Sequence, residues 1–115
     1  MNQFISEEQQ KLAELCDLVR NYFQQNEYQQ CRALIFDAMA KYPHSPEPHN
    51  LIGIVLENEG DHRAAMKHFR AAWALDPTYI PARHNLDRFA SFDAAGKWAF
   101  DRNDCSGCVN DNNSL

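Results

Sequence analysis

Residues 46–79 read PEPHNLIGIVLENEGDHRAAMKHFRAAWALDPTY, and this stretch decides the fold. Leu51, Ile52, Val55 and Leu56 recur at helical spacing, and Gly60-Asp61 breaks the run. Phe69, Trp73 and Leu75 continue on a second helix, which Asp76-Pro77 stops. Gly53, Ala65 and Ala72 fall where the two helices must touch. Small residues there let the backbones approach, while larger apolar side chains fill the grooves beside them. One such hairpin cannot bury its own apolar face, so it must stack on copies of itself.

Copies occur at a period of 34 residues. One step back, Pro77 lands on Pro43, Ala72 on Ala38, Phe69 on Ile35, Ala65 on Cys31 and Ile52 on Leu18. Gly60 lands on Asn26, the other residue type that tolerates a left-handed helix end. One step forward, Ile52 lands on Leu86 and Asn50 on His84.

The pattern of Gly53, Ala65, Phe69, Ala72 and Pro77 resembles the tetratricopeptide repeat. His49, Val19 and Asp87 depart from it: His49 stands at a position often held by a large aromatic, and the other two replace the glycine. The resemblance implies an all-α fold, a right-handed α-solenoid of antiparallel hairpins with about two and a half repeats. Repeats are expected at about 12–45 and 46–79, with a partial one from Ile80, inside a helical domain of residues 1–100. Residues 101–115 hold little core material and are expected to form a flexible tail. Asp93–Phe100 lacks the second-helix pattern, and Trp98 and Phe100 suit the covering of an exposed end of the stack.

Local signals mark the helix ends. Ser6 with Gln9 forms a candidate capping box, and Gln25-Asn26-Glu27 makes a turn. Ser45 is expected to cap the third helix, whose first turn tolerates Pro46 and Pro48. Thr78 is expected to cap the fifth, running at least to Phe92.

Composition narrows the function. The net charge of −5 disfavours nucleic acid and anionic membranes, which need clustered Lys and Arg. No run of about 18 apolar residues suits a membrane span. The polar, acidic start at Met1–Glu8 does not read as a secretory signal, so a cytoplasmic location with reduced cysteines is expected. No nucleophile–base pair or phosphate loop stands out, so the chain is read as no enzyme, with no cofactor.

The resemblance implies that the first helix of each repeat lines a concave groove holding a peptide or helix of a partner protein. Carried over by position, the partner-binding residues are Arg20, Phe23, Asn50, Ile54, Glu57, His84 and Arg88, with Cys16, Asn50 and His84 forming one row. Asn side chains suit a peptide backbone, and two arginines beside Ile54 suit an acidic ligand with an apolar anchor. The two-carboxylate clamp of chaperone-tail adaptors has no match, because Cys16, Arg20, Leu51, Pro81 and Asn85 occupy its positions.

Two alternatives remain at this level. Phe89, Phe92, Trp98 and Phe100 could build a homodimer through the C-terminal end. Cys105 and Cys108 form a lone Cys-x-x-Cys pair, a weak candidate for metal or redox use because zinc needs four ligands. Cys31 reads as a small apolar residue at a helix crossing. His44 and His49 read as surface residues, and no helix face gives the histidines metal spacing.

Overall fold

The computed structural model of the chain describes residues 5–90 and 98–104, with the backbone alone at Phe89 and Ala90. Among the described residues, five helices follow in order, α1 (Glu7–Gln24), α2 (Tyr28–Lys41), α3 (Glu47–Asn58), α4 (His62–Leu75) and α5 (Ile80–Ala90), and residues 102–104 are also helical. Among the described residues there is no strand, and no helix is long and apolar enough to cross a membrane.

The capping box forms as its spacing predicts. The Ser6 hydroxyl accepts the Gln9 N–H at 3.0 Å, and the Gln9 side chain accepts the Ser6 N–H at 3.2 Å. Glu7 and Glu8 then sit in the first turn of α1, where the helix dipole favours negative charge. The turns after α1 and α3 are closed by Asn26 at φ 64° and Gly60 at φ 91°. Asp61 caps α4 by accepting the Ala64 N–H at 3.2 Å.

The two hairpins repeat at the sequence period. α2 and α4 have the same length and begin 34 residues apart, and α1 and α3 end 34 residues apart. Burial repeats as well: Cys31 and Ala65 are inaccessible, Ile35 and Phe69 likewise, and Ala38 and Ala72 are buried. Each helix packs on the next in chain order, and α1 also packs on α3. The core is a layer of Leu12, Leu15 and Val19 from α1, Ile35 from α2, Leu51 and Val55 from α3, and Phe69 from α4. The Cys31 thiol lies 3.6 Å from the Val19 carbonyl, to which it donates, as expected of a small residue at a crossing. Arg32 of α2 pairs with Glu59 after α3, bracing one hairpin on the other.

Several local expectations are corrected. Ser45 does not cap α3; its hydroxyl donates to Glu8 at 2.9 Å, tying the α2–α3 loop to the start of α1. In the α4–α5 turn, Asp76 accepts both the Thr78 N–H at 3.0 Å and the Thr78 hydroxyl at 2.6 Å, so Thr78 donates rather than caps. Leu18, Trp73 and Leu75 remain 45%, 37% and 39% exposed. Trp73 lies beneath the Arg83 guanidinium at 5.1 Å and donates its indole N–H to the Pro77 carbonyl. The largest difference is at the C-terminal side. Residues 98–104, split in the sequence reading between a domain end and a flexible tail, pack together against the helices. Ala99 and Phe100 are buried. The expected continuation of helix five to Phe92 and the remainder of the tail lie outside the described residues.

Candidate functional site

The segment Trp98–Asp104 lies along residues of α1, α3 and α5, the helices expected to line the groove. Its main chain is held at Ala99. Asn50 on α3 donates to the Ala99 carbonyl at 2.9 Å, and Asn85 on α5 donates to the same oxygen at 3.0 Å. The Asn85 side-chain oxygen accepts the Ala99 N–H at 3.0 Å. Asn85 also donates to the Asn50 oxygen at 2.8 Å, which fixes both amides. Asn50, Asn85 and Ala99 are inaccessible to solvent, so these bonds form away from competing water.

Side chains flank this centre. Arg88 lies over the Trp98 ring at 4.1 Å. Phe100 meets Phe23 edge-on at 5.4 Å, with the Arg20 guanidinium 5.5 Å from its ring centre. Arg20 reaches Asp101 and Asp104, each at 3.0 Å, and Asp17 on its own helix at 2.9 Å. Partial burial works against the charge of Arg20, but the hydrogen bonds it donates to Asp104 and Asp101 outweigh this and hold the guanidinium above its ordinary pKa. Asp101 shapes the acidic turn by accepting the N–H groups of Asn103 at 3.0 Å and Asp104 at 3.3 Å. Asp104 in turn accepts the Phe100 N–H at 2.8 Å. Arg102 closes the far side, donating to the Thr78 carbonyl at 3.0 Å and lying 5.1 Å from the Tyr79 ring centre.

The structure therefore brings Arg20, Phe23, Asn50 and Arg88 around one peptide segment. Ile54 is fully buried in the core cluster that also contains Phe100. Glu57 pairs with His62 on α4 at 2.9 Å; burial lowers the pKa of Arg88, and the nearby Glu57 charge partly opposes this. His84 is half-buried on α5. The 34-residue step pairs Asn50 with His84, whereas the contact is made by Asn85, one position later. Of the residues offered for self-association, Phe100 is buried within its own chain and Trp98 is partly buried under Arg88. The Phe89 side chain, Phe92, Cys105 and Cys108 lie outside the described residues.

Beside the segment lies an open cavity of about 760 Å³ between the start of α1, the α2–α3 loop and the α4–α5 turn. Its lining carries the carboxylates of Glu8, Glu47, Asp76 and Asp101 and the guanidinium of Arg102, a balance that favours a positively charged group. Burial raises the pKa values of Glu47, Tyr79 and the Cys16 thiol. Among the described residues, one Glu47 carboxylate oxygen is buried without a hydrogen-bond partner, and the buried Tyr79 hydroxyl has the Cys16 thiol as its neighbour. No group of three or more metal-ligating side chains occurs among the described residues.

His49 is half-buried, whereas His44 is exposed. His49 stacks on His68 across the α3–α4 hairpin, with ring centres 5.3 Å apart and the two Nδ1 atoms at 3.0 Å. No family model, curated protein or solved structure matches the chain.

Proposed function

We propose that this chain is a protein-interaction module, a short right-handed α-solenoid of tetratricopeptide-like hairpins whose concave face holds an extended segment of a partner protein. The observation that carries the reading is the grip of Asn50 and Asn85 on the Ala99 main chain. A side-chain amide that matches both the N–H and the C=O of one residue recognises backbone and tolerates varied sequence around it. Arg20, Phe23 and Arg88 then supply selectivity through charge and aromatic contact. The use is binding rather than catalysis, as an adaptor or scaffold.

The test is an amide-shift titration of the labelled full chain with short unstructured peptides, among them the sequence of residues 98–104. Shifts clustered on α1, α3 and α5, and lost in Asn50→Ala/Asn85→Ala, are expected. Shifts confined to the exposed faces of α2 and α4 would overturn the groove assignment. The competing homodimer reading draws less support, because Phe100 is buried in its own chain.

A further inference from the structure

We infer that Trp98–Asp104 is a built-in competitor for the groove, and that the partner segment it excludes carries the same pattern. That pattern is an aromatic, a small residue, a second aromatic, and acids at the next position and three further on. The inference rests on the peptide-binding reading above and adds the identity of the ligand class and the control of access.

Each position of the pattern has a physical cause. Ala99 is fully enclosed while its backbone is held on both sides by amides, so a bulky side chain has no room there. Phe100 is the buried anchor, edge-on to Phe23 and beside Arg20. Asp101 and Asp104 are three apart because Asp101 turns the chain through the Asn103 and Asp104 N–H groups, which brings both carboxylates to Arg20. Trp98 supplies the face over which Arg88 lies.

The two parts of the segment are held differently: Ala99 and Phe100 are buried, whereas the contacts of Asp101 and Asp104 reach solvent. Its charged contacts are partly open to solvent, with the Asp101 and Asp104 side chains 17% and 31% exposed, and such pairs contribute modestly. It joins α5 through residues 91–97 only. A linker of that length that lets the segment leave and return would hold it at an effective concentration on the order of millimolar. If its intrinsic affinity is tens of micromolar, the groove is free about 1–10% of the time, and an external ligand is weakened by that fraction.

The experiment uses the full chain and a fluorescent peptide with the sequence of residues 98–104, read by anisotropy. The chain variant Asp101→Ala/Asp104→Ala removes the acids from the resident segment and leaves the groove intact. Hydrogen exchange at the Ala99 amide reports release; if that amide stays protected, Phe100→Ala is added. The released variant is expected to bind the peptide about 10-fold to 100-fold more tightly than wild type. Asn in place of both peptide acids should abolish the gain. Arg20→Glu in the released chain should abolish binding, and a peptide with Lys in place of both acids should restore it.

Equal peptide affinity for wild-type and released chains would overturn the competitor assignment while leaving the groove reading standing. Failure of a chain with a freely exchanging Ala99 amide to bind the peptide would overturn the groove reading itself. An Ala99 amide protected even after Phe100→Ala would make the segment a fixed part of the core and overturn the inference. Peptide binding indifferent to loss of both acids would overturn the acidic pattern. A sedimenting dimer in which segments exchange between copies would make a second copy the occupant, overturning the partner assignment.

Discussion

Asn85 and Asn50 form one hydrogen-bonded unit: the Asn85 amide donates to the Asn50 oxygen at 2.8 Å while both side chains hold the Ala99 carbonyl. All three residues are inaccessible. Asn85→Ala leaves the Ala99 N–H and the Asn50 oxygen buried without their present partner, at a cost of about 1–3 kcal/mol. Asn85→Asp is expected to be worse, since it removes both donors and turns a carboxylate toward two acceptor oxygens. Urea unfolding midpoints should rank wild type above Ala above Asp. An Asp variant as stable as Ala would contradict the assigned amide orientation.

Gly53 is required by Phe69. A Cβ at position 53 would lie 2.5 Å from the Phe69 Cε1 atom and 2.8 Å from Cδ1, and the ring is fully buried. Gly53→Ala is therefore expected to destabilise by about 1–3 kcal/mol despite the better helix propensity of Ala. Adding Phe69→Leu should remove part of the clash. The double variant is expected to be more stable than the sum of the two single losses predicts, and strict additivity in a denaturation cycle would refute the contact.

The His49–His68 stack predicts acid sensitivity. Burial lowers the pKa of both rings, and for His68 the charge of His49 adds to the effect. The unfolded chain then takes up protons more readily than the folded one below the ordinary value of 6.5. Stability should fall as pH drops through that value toward the lower folded pKa values. His68→Gln should flatten this part of the profile. Melting temperatures recorded from about pH 7.5 down to pH 5 test it.

Glu47 predicts the opposite slope. Burial raises its carboxyl pKa above the ordinary 4.5, so the folded state favours the protonated form. Its contribution is fully present below 4.5 and is lost as pH rises through the folded value. Glu47→Gln should therefore raise the melting temperature at neutral pH, with the advantage vanishing below 4.5. A loss of stability at neutral pH would show instead that the charged carboxylate has a partner in solution.

Local order was legible because it depends on neighbours in sequence. The left-handed positions Asn26 and Gly60 were visible as a pair one period apart, and the capping box at Ser6 and Gln9 needs only adjacent residues. The buried pairs Cys31 with Ala65 and Ile35 with Phe69 followed from the same period. Periodicity does not single out Asn85, because the period aligns Asn50 with His84 and a one-position offset between α3 and α5 has no signature in it. The half-burial of His49 has no local signal, because its partner lies 19 residues away on the facing helix.

The sequence by itself determined the helices, the turns at Asn26 and Gly60 and the buried positions that repeat between the hairpins, because apolar spacing and turn chemistry act over a few residues. Only the tertiary structure decided what occupies the face formed by α1, α3 and α5. The Arg20–Asp104 contact spans 84 positions, and Asn50 reaches Ala99 across 49. Such contacts arise from the complementarity of a charged and aromatic segment to a distant surface, and no local period encodes that match.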